Sequence, residues 1–206
     1  MALKHDRHKR RLGTLRYRVL FLLSVEGAVT EQQYFNMFSS DDSIIRIECI
    51  NKNNRSSPKE VLKAIKKCLT KIDLKKDDEA WLIIDKDHWP EEHIKELFEW
   101  TKEEENYHFA LSNPCFEYWL LLHFENPTGK INKNSCSARL KRYLPDYDKN
   151  ILAHKFSDEK INAAISRAET QLSSQHVDWP TTTGTTVYRL IKHINQARAK
   201  HQADSR

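Results

Sequence analysis

Hydrophobic and polar positions along the first 125 residues switch repeatedly between a strand-like and a helix-like period. Tyr17 to Val25, rich in Val, Leu and Phe, reads as a first strand, and Thr30 offers an N-cap for a helix through Glu31, Tyr34, Phe35 and Phe38. Ile44 to Ile50 alternates as a second strand. Ser57-Pro58-Lys59-Glu60 then combines a capping-box serine and glutamate with proline at the first helical position. Behind it, Val61, Leu62, Ile65, Cys68, Leu69 and Ile72 form one apolar helical face, with Lys59, Lys63, Lys66 and Lys67 turned to solvent. Ala80 to Asp85 is almost continuously apolar, as expected of a central strand buried on both faces. His93 to Lys102 predicts a helix and Tyr107 to Leu111 a fourth strand, after which Asn113-Pro114 caps a very apolar helix through Phe124. The order β-α-β-α-β-α-β-α predicts an α/β fold, a mostly parallel four-stranded sheet flanked by helices with right-handed crossovers.

From Gly129 onward the strand signals fade, and Ser137 to Leu144, Asp158 to Leu172 and Thr185 to Ala197 read as helices. Asn126-Pro127-Thr128-Gly129 is the best turn-rich boundary. The expected organisation is a basic arm over 1–15, an α/β domain over 16–125 and a helical C-terminal extension over 126–206 packed on the same unit. At 206 residues the chain suits one folded unit with an ample core.

The net charge of +5 is modest, but much of the surplus lies in Lys4 to Arg18, where Lys4, Arg7, Lys9, Arg10, Arg11, Arg16 and Arg18 face only Asp6. Such an arm could contact a polyanion, or simply be a solvated tail. Cys49, Cys68, Cys115 and Cys136 form no Cys-x-x-Cys pair, so they read as reduced, packed thiols. No apolar run is long enough for a bilayer span, and Val19 to Val25 is too short for a convincing signal sequence; a cytoplasmic location is expected. The absence of a Gly-x-Gly-x-x-Gly or Walker-type loop argues against dinucleotide and P-loop chemistry.

The chemistry-bearing positions are acidic. Glu26-Gly27 follows the first predicted strand and Asp85-Lys86-Asp87 closes the third, at the carboxyl ends where open α/β sheets bind ligands. Asp85 and Asp87, on one side of an extended segment, would offer oxygen donors to a hard cation such as Mg²⁺, with Mn²⁺ as the alternative ion. Glu26 would complete the coordination shell or act as general acid/base, and Glu117, early on the Asn-Pro-capped helix, is a further candidate ligand. Each residue also has a structural explanation. Acidic residues at strand ends form turns and caps, and Glu117 could simply favour a helix N-terminus. Lys86 and His88 could reach a phosphate, as could Arg10 and Arg11, or all could face solvent. His123 reads as a hydrogen-bonded core histidine. Trp81, Trp89, Trp100, Trp119 and Trp179 read mostly as core, with Trp89 the one expected to be exposed.

Glu26-Gly27-x-x-Thr30-Glu31-x-x-Tyr34-Phe35, then Asp85-x-Asp87, then Ser112-Asn113-Pro114-Cys115-Phe116-Glu117-Tyr118-Trp119 through Phe124 resemble the RloB-like, or AbiLii-like, abortive-infection proteins. The resemblance runs through most of the chain, including Thr185-Thr186-Val187. It implies a Toprim-like fold, in which a Glu ends the first strand and an Asp-x-Asp the third. It also implies a role in phage defence, nucleic acid as target, and an ATPase as possible partner. Three functions follow as expectations: a metal-dependent nuclease acting on RNA, tRNA included, or on DNA; a non-catalytic nucleic-acid-binding or regulatory subunit of an ATPase-containing complex; and a toxin that is inert until a partner releases it.

Overall fold

The computed structural model describes residues 19–27, 29–39, 44–50, 57–129, 131–173 and 178–204. The elements are β1 (Val19–Val25), α1 (Thr30–Asn36), β2 (Ile45–Ile50), α2 (Pro58–Leu69), β3 (Glu79–Asp85), α3 (Glu91–Trp100), β4 (Tyr107–Asn113), α4 (Phe116–Leu121), α5 (Lys133–Tyr143), α6 (Asp158–Ser173), β5 (Gly184–Thr185) and α7 (Val187–Asp204). The predicted arm over 1–15, with Arg10 and Arg11, lies outside the described residues.

The sheet order is β2-β1-β3-β4-β5, with β1 to β4 mutually parallel. This α/β sheet flanked by helices fits the Toprim-like description. Its alternating side chains separate two apolar layers. Phe21, Leu23, Trp81, Ile83 and Ala110 face one way, against α1, α4 and the C-terminal helices. Leu22, Leu82, Ile84, Phe109 and Leu111 face the other, against Val61, Leu62 and Ile65 of α2 and Ile94, Leu97 and Trp100 of α3. The period-2 geometry of strands explains why neighbours in sequence enter opposite layers, and why these strands carry no polar face.

Two boundaries depart from the sequence expectation. The helix expected from Thr185 begins at Val187, because Gly184 and Thr185 add a fifth, antiparallel strand to β4, through Ser112↔Thr185 and Asn113↔Gly184. Thr186 holds the junction: its backbone N–H donates to Leu111 O at 2.9 Å and its Oγ1 accepts the Leu111 N–H at 2.8 Å. For the same reason Asn113 is the last residue of β4 rather than a helix cap, and its side-chain amide donates to Pro180 O and Thr181 O. The N-cap of α4 is Cys115.

His123, just past α4, is a core residue as expected. It is 2 % exposed; its Nδ1 lies 3.0 Å from Trp119 O and its Nε2 3.0 Å from the Tyr34 hydroxyl. Trp81, Trp100 and Trp119 are buried, and Trp89 is half-buried against the α2–α3 layer instead of fully exposed. All four cysteines are free thiols, with Cys115 and Cys136 buried. Among the described residues no helix is long and apolar enough to cross a membrane.

Candidate metal centre

In a sheet ordered 2-1-3-4, chain connections leave β1 in one direction and β3 in the other, so the carboxyl ends of β1 and β3 open onto the crevice where such sheets bind ligands. Glu26 and Asp85 stand at those two ends. They are in direct contact: Glu26 Oε2 accepts the Asp85 backbone N–H at 3.0 Å, while Glu26 Oε1 lies 3.4 Å from the indole Nε1 of Trp89. Glu26 N–H in turn donates to Ile83 O, which keeps the residue in register with β3 after β1 has ended.

A cavity of about 280 Å³ opens beside them, and its acidic lining consists of Glu26, Glu31, Asp85 and Glu117. These four carboxylates come from the end of β1, the first turn of α1, the end of β3 and the first turn of α4. Glu117 is 3 % exposed and is held by Lys149 Nζ at 2.5 Å and the Tyr147 hydroxyl at 3.2 Å. Lys149 and Lys133 complete the polar wall.

Glu31, which the sequence pattern places at the start of a helix, is 6 % exposed and lines the cavity. Its Oε1 accepts the Gly27 N–H at 3.0 Å, and a Cβ built on Gly27 would sit 1.9 Å from its Oε2. Gly27 is therefore glycine because the Glu31 carboxylate occupies the space a side chain would need. The pattern Glu-Gly-x-x-x-Glu was the available signal. Lys133 and Lys149 carried none, since each reaches the cavity from a segment remote in sequence.

Asp87 behaves differently from Asp85. The two were expected on one side of an extended segment, but β3 stops at Asp85 and the chain turns, with Asp87 at φ 37° and its N–H donating to Pro114 O. Its carboxylate leaves the cavity wall and meets Lys133 Nζ and His88 Nδ1, each at 3.3 Å. Asp87 thus stands one ion pair away from the cavity, through Lys133. Lys86 folds back to donate to Trp89 O, and His88 is an exposed side chain stacked on Trp89. Neither lines the cavity.

The electrostatics follow from crowding anions at a poorly hydrated edge. Burial raises the Asp85 carboxyl well above the ordinary range, and the charges of Glu31, Glu26 and Glu117 push the same way against Lys133. Burial raises Glu26 as well, opposed by the N–H donors of Asp85 and Trp89. Burial, reinforced by Glu117, lifts Glu31 to about 7. At Glu117 burial also pulls upward, but the hydrogen bond and charge of Lys149 outweigh it and its pKa lies below the usual value. The set is an all-oxygen, net-anionic nest whose mutual repulsion a divalent cation would relieve. Its chemistry fits Mg²⁺ or Mn²⁺ better than a softer ion.

Residues 21–194 match the model of one protein family, described as RloB-like protein. Comparisons with curated proteins and with solved structures returned no match.

Proposed function

We propose that this chain, which belongs to the RloB-like protein family, is a divalent-metal-dependent phosphodiesterase that cleaves RNA, tRNA included, or DNA, in a prokaryotic anti-phage abortive-infection system. The observation that carries the reading is the convergence of Glu26, Asp85, Glu31 and Glu117 on one cavity at the β1/β3 switch point. Asp85, Glu26 and Glu117 would hold Mg²⁺ or Mn²⁺. When bound, such an ion supplies the positive charge that offsets the nonbridging oxygens of a phosphodiester as charge builds in the transition state.

The remaining roles belong to the chain itself. Both Glu26 oxygens receive N–H donors, which fix the orientation of the carboxylate toward the Asp85 end of β3, and it is assigned to ligation on that geometry. Asp87 positions Lys133, and Lys133 and Lys149 present ammonium groups to the cavity, where they suit phosphate oxygens. The exposed His88 ring, stacked on the half-buried Trp89 beside the site, suits a neighbouring nucleotide base.

One observation favours a second reading, that of a nucleic-acid-binding or regulatory subunit of an ATPase-containing defence complex without turnover. Lys149 already neutralises Glu117, which lowers the demand of the cluster for a cation. Incubating the purified chain with tRNA, single-stranded DNA and duplex DNA, in Mg²⁺, in Mn²⁺ and in chelator, separates the two. The nuclease reading expects cleavage that chelator stops and that Asp85→Asn abolishes with the fold intact. Retention on nucleic acid without cleavage under every condition supports the second reading.

A further inference from the structure

The opposite edge of the sheet carries another cluster, which the carboxyl-edge chemistry does not use. Glu79 opens β3, His108 is the second residue of β4, and His193 lies on α7. His193 Nδ1 is 2.9 and 3.0 Å from the two Glu79 oxygens, and His108 Nε2 is 3.7 Å from Glu79 Oε2. One ligand atom from each residue can be chosen so that all three lie within 4.8 Å of one another. Ligands around a tetrahedral Zn²⁺, at about 2.0 to 2.2 Å from the ion, sit roughly 3.4 Å apart. The observed separations bracket that value.

Three features go beyond a chance meeting of two histidines and a carboxylate. The Trp81 indole donates to Glu79 Oε2 at 2.7 Å, orienting the carboxylate from a fully buried side chain. The same indole packs against both imidazoles, at centroid distances of 4.6 Å to His108 and 5.3 Å to His193. The three residues also share the wall of a cavity of about 440 Å³, together with Asn106, Asp77 and Lys200. The side chains are 19 %, 24 % and 36 % exposed for Glu79, His108 and His193, buried enough to be fixed and open enough to be reached.

We propose that Glu79, His108 and His193 form a transition-metal site, distinct from the carboxylate cluster, that holds Zn²⁺ with its fourth position facing the amino-edge cavity. Two imidazoles and a single carboxylate select Zn²⁺ or its late first-row neighbours over Mg²⁺. Three protein ligands beside a cavity match zinc sites that keep a position for water or a small anionic ligand, in contrast to closed four-ligand structural sites. An ion there would also pin α7 to the amino ends of β3 and β4.

The test is competition titration of chelator-treated, full-length protein with Zn²⁺ against a chromophoric chelator, followed by Co²⁺ absorption spectra and thermal melts with and without Zn²⁺. The expected result is one tight equivalent, with four-coordinate Co²⁺ bands and a zinc-dependent rise in Tm. Glu26→Gln/Asp85→Asn should retain all three signals, because that double change touches only the carboxyl-edge cluster. His108→Ala and His193→Ala should each weaken the site about 100-fold or more, losing a direct ligand being at least as costly as losing a group that merely orients one. Absence of tight binding in the wild type overturns the proposal without recourse to any variant. Binding unchanged in both histidine variants overturns it too, as does binding lost only in the Glu26/Asp85 variant.

Discussion

The Glu26 carboxylate accepts the backbone N–H of Asp85 at 3.0 Å, so a side chain that faces the cavity also joins the ends of β1 and β3. Structure and site are therefore coupled at this residue, and the two can be separated by choice of substitution. Glu26→Gln keeps an oxygen acceptor for one of the two N–H donors, whereas Glu26→Ala leaves Asp85 N–H and the Trp89 indole without their acceptor. Denaturant unfolding in chelator should show the alanine variant less stable than the glutamine variant by about 1–3 kcal/mol, the cost of an unsatisfied part-buried donor. Equal stabilities would mean the bond contributes nothing to holding the site.

Gly27 and Glu31 occupy each other's space. Gly27→Ala would place a methyl within 2.2 Å of all three atoms of the Glu31 carboxyl group. Because the obstacle is the end of a side chain, it is Glu31 that should move rather than the backbone. Gly27→Ala is expected to keep the fold but reduce metal-dependent activity to about the level of Glu31→Ala, and the double variant should be no worse than either alone. Additive losses in the double variant would show that the glycine serves something other than Glu31.

The raised carboxyls give a pH dependence of defined sign. Glu31 has a folded-state pKa of about 7 against an ordinary 4.5, so between those values the folded chain binds more protons than the unfolded one. Stability must then fall as pH rises through that window, and Asp85 and Glu26, both raised, add to the same trend. Thermal melts in chelator from pH 4.5 to 7.5 should show the wild type losing stability relative to Glu31→Gln as pH rises, and a parallel series with Mg²⁺ in place of chelator should offset that loss. Profiles in chelator that coincide for the wild type and Glu31→Gln would mean the cluster is not charge-repelled.

His123 imposes the opposite slope. Burial holds its pKa down at about 3, against an ordinary 6.5, so protons bind the unfolded chain preferentially between those values and stability is lost as pH falls through them. His123→Phe should remove this acid sensitivity. It should also lower stability at neutral pH by about 1–3 kcal/mol, because the Tyr34 hydroxyl is left without its imidazole partner. Acid unfolding unchanged in the variant would assign that transition to other groups.

The fold is largely legible because β1 and β3 are buried on both faces and α2 carries a capping signal that needs no tertiary information. Ser57-Pro58 began α2 where the pattern placed it, with the Ser57 side chain accepting the Glu60 N–H. What escaped was set by contacts between remote segments. Gly184 and Thr185 are strand only because β4 offers an edge for them, and two residues have no period to detect. At the site, Glu26, Asp85 and Glu117 could be placed at one sheet edge from topology. The outward turn of Asp87 depends on its N–H finding Pro114 O, and the two lysines on segments more than a hundred residues from Glu26 in chain order, none of which has a local signature. The amino-edge trio was unreadable for the same reason, since Glu79, His108 and His193 meet only through the sheet and α7.

The central claim is that the carboxyl-edge cluster binds a divalent ion through Asp85, and Mn²⁺ binding followed by electron paramagnetic resonance tests it most directly. The measurement belongs in a His108→Ala background, so that the amino edge adds nothing to the signal. Loss of the free-ion spectrum on adding protein, with its recovery in Asp85→Asn and in Glu26→Gln, is the predicted result. Mn²⁺ uptake that is equally strong with Asp85 replaced would contradict the account.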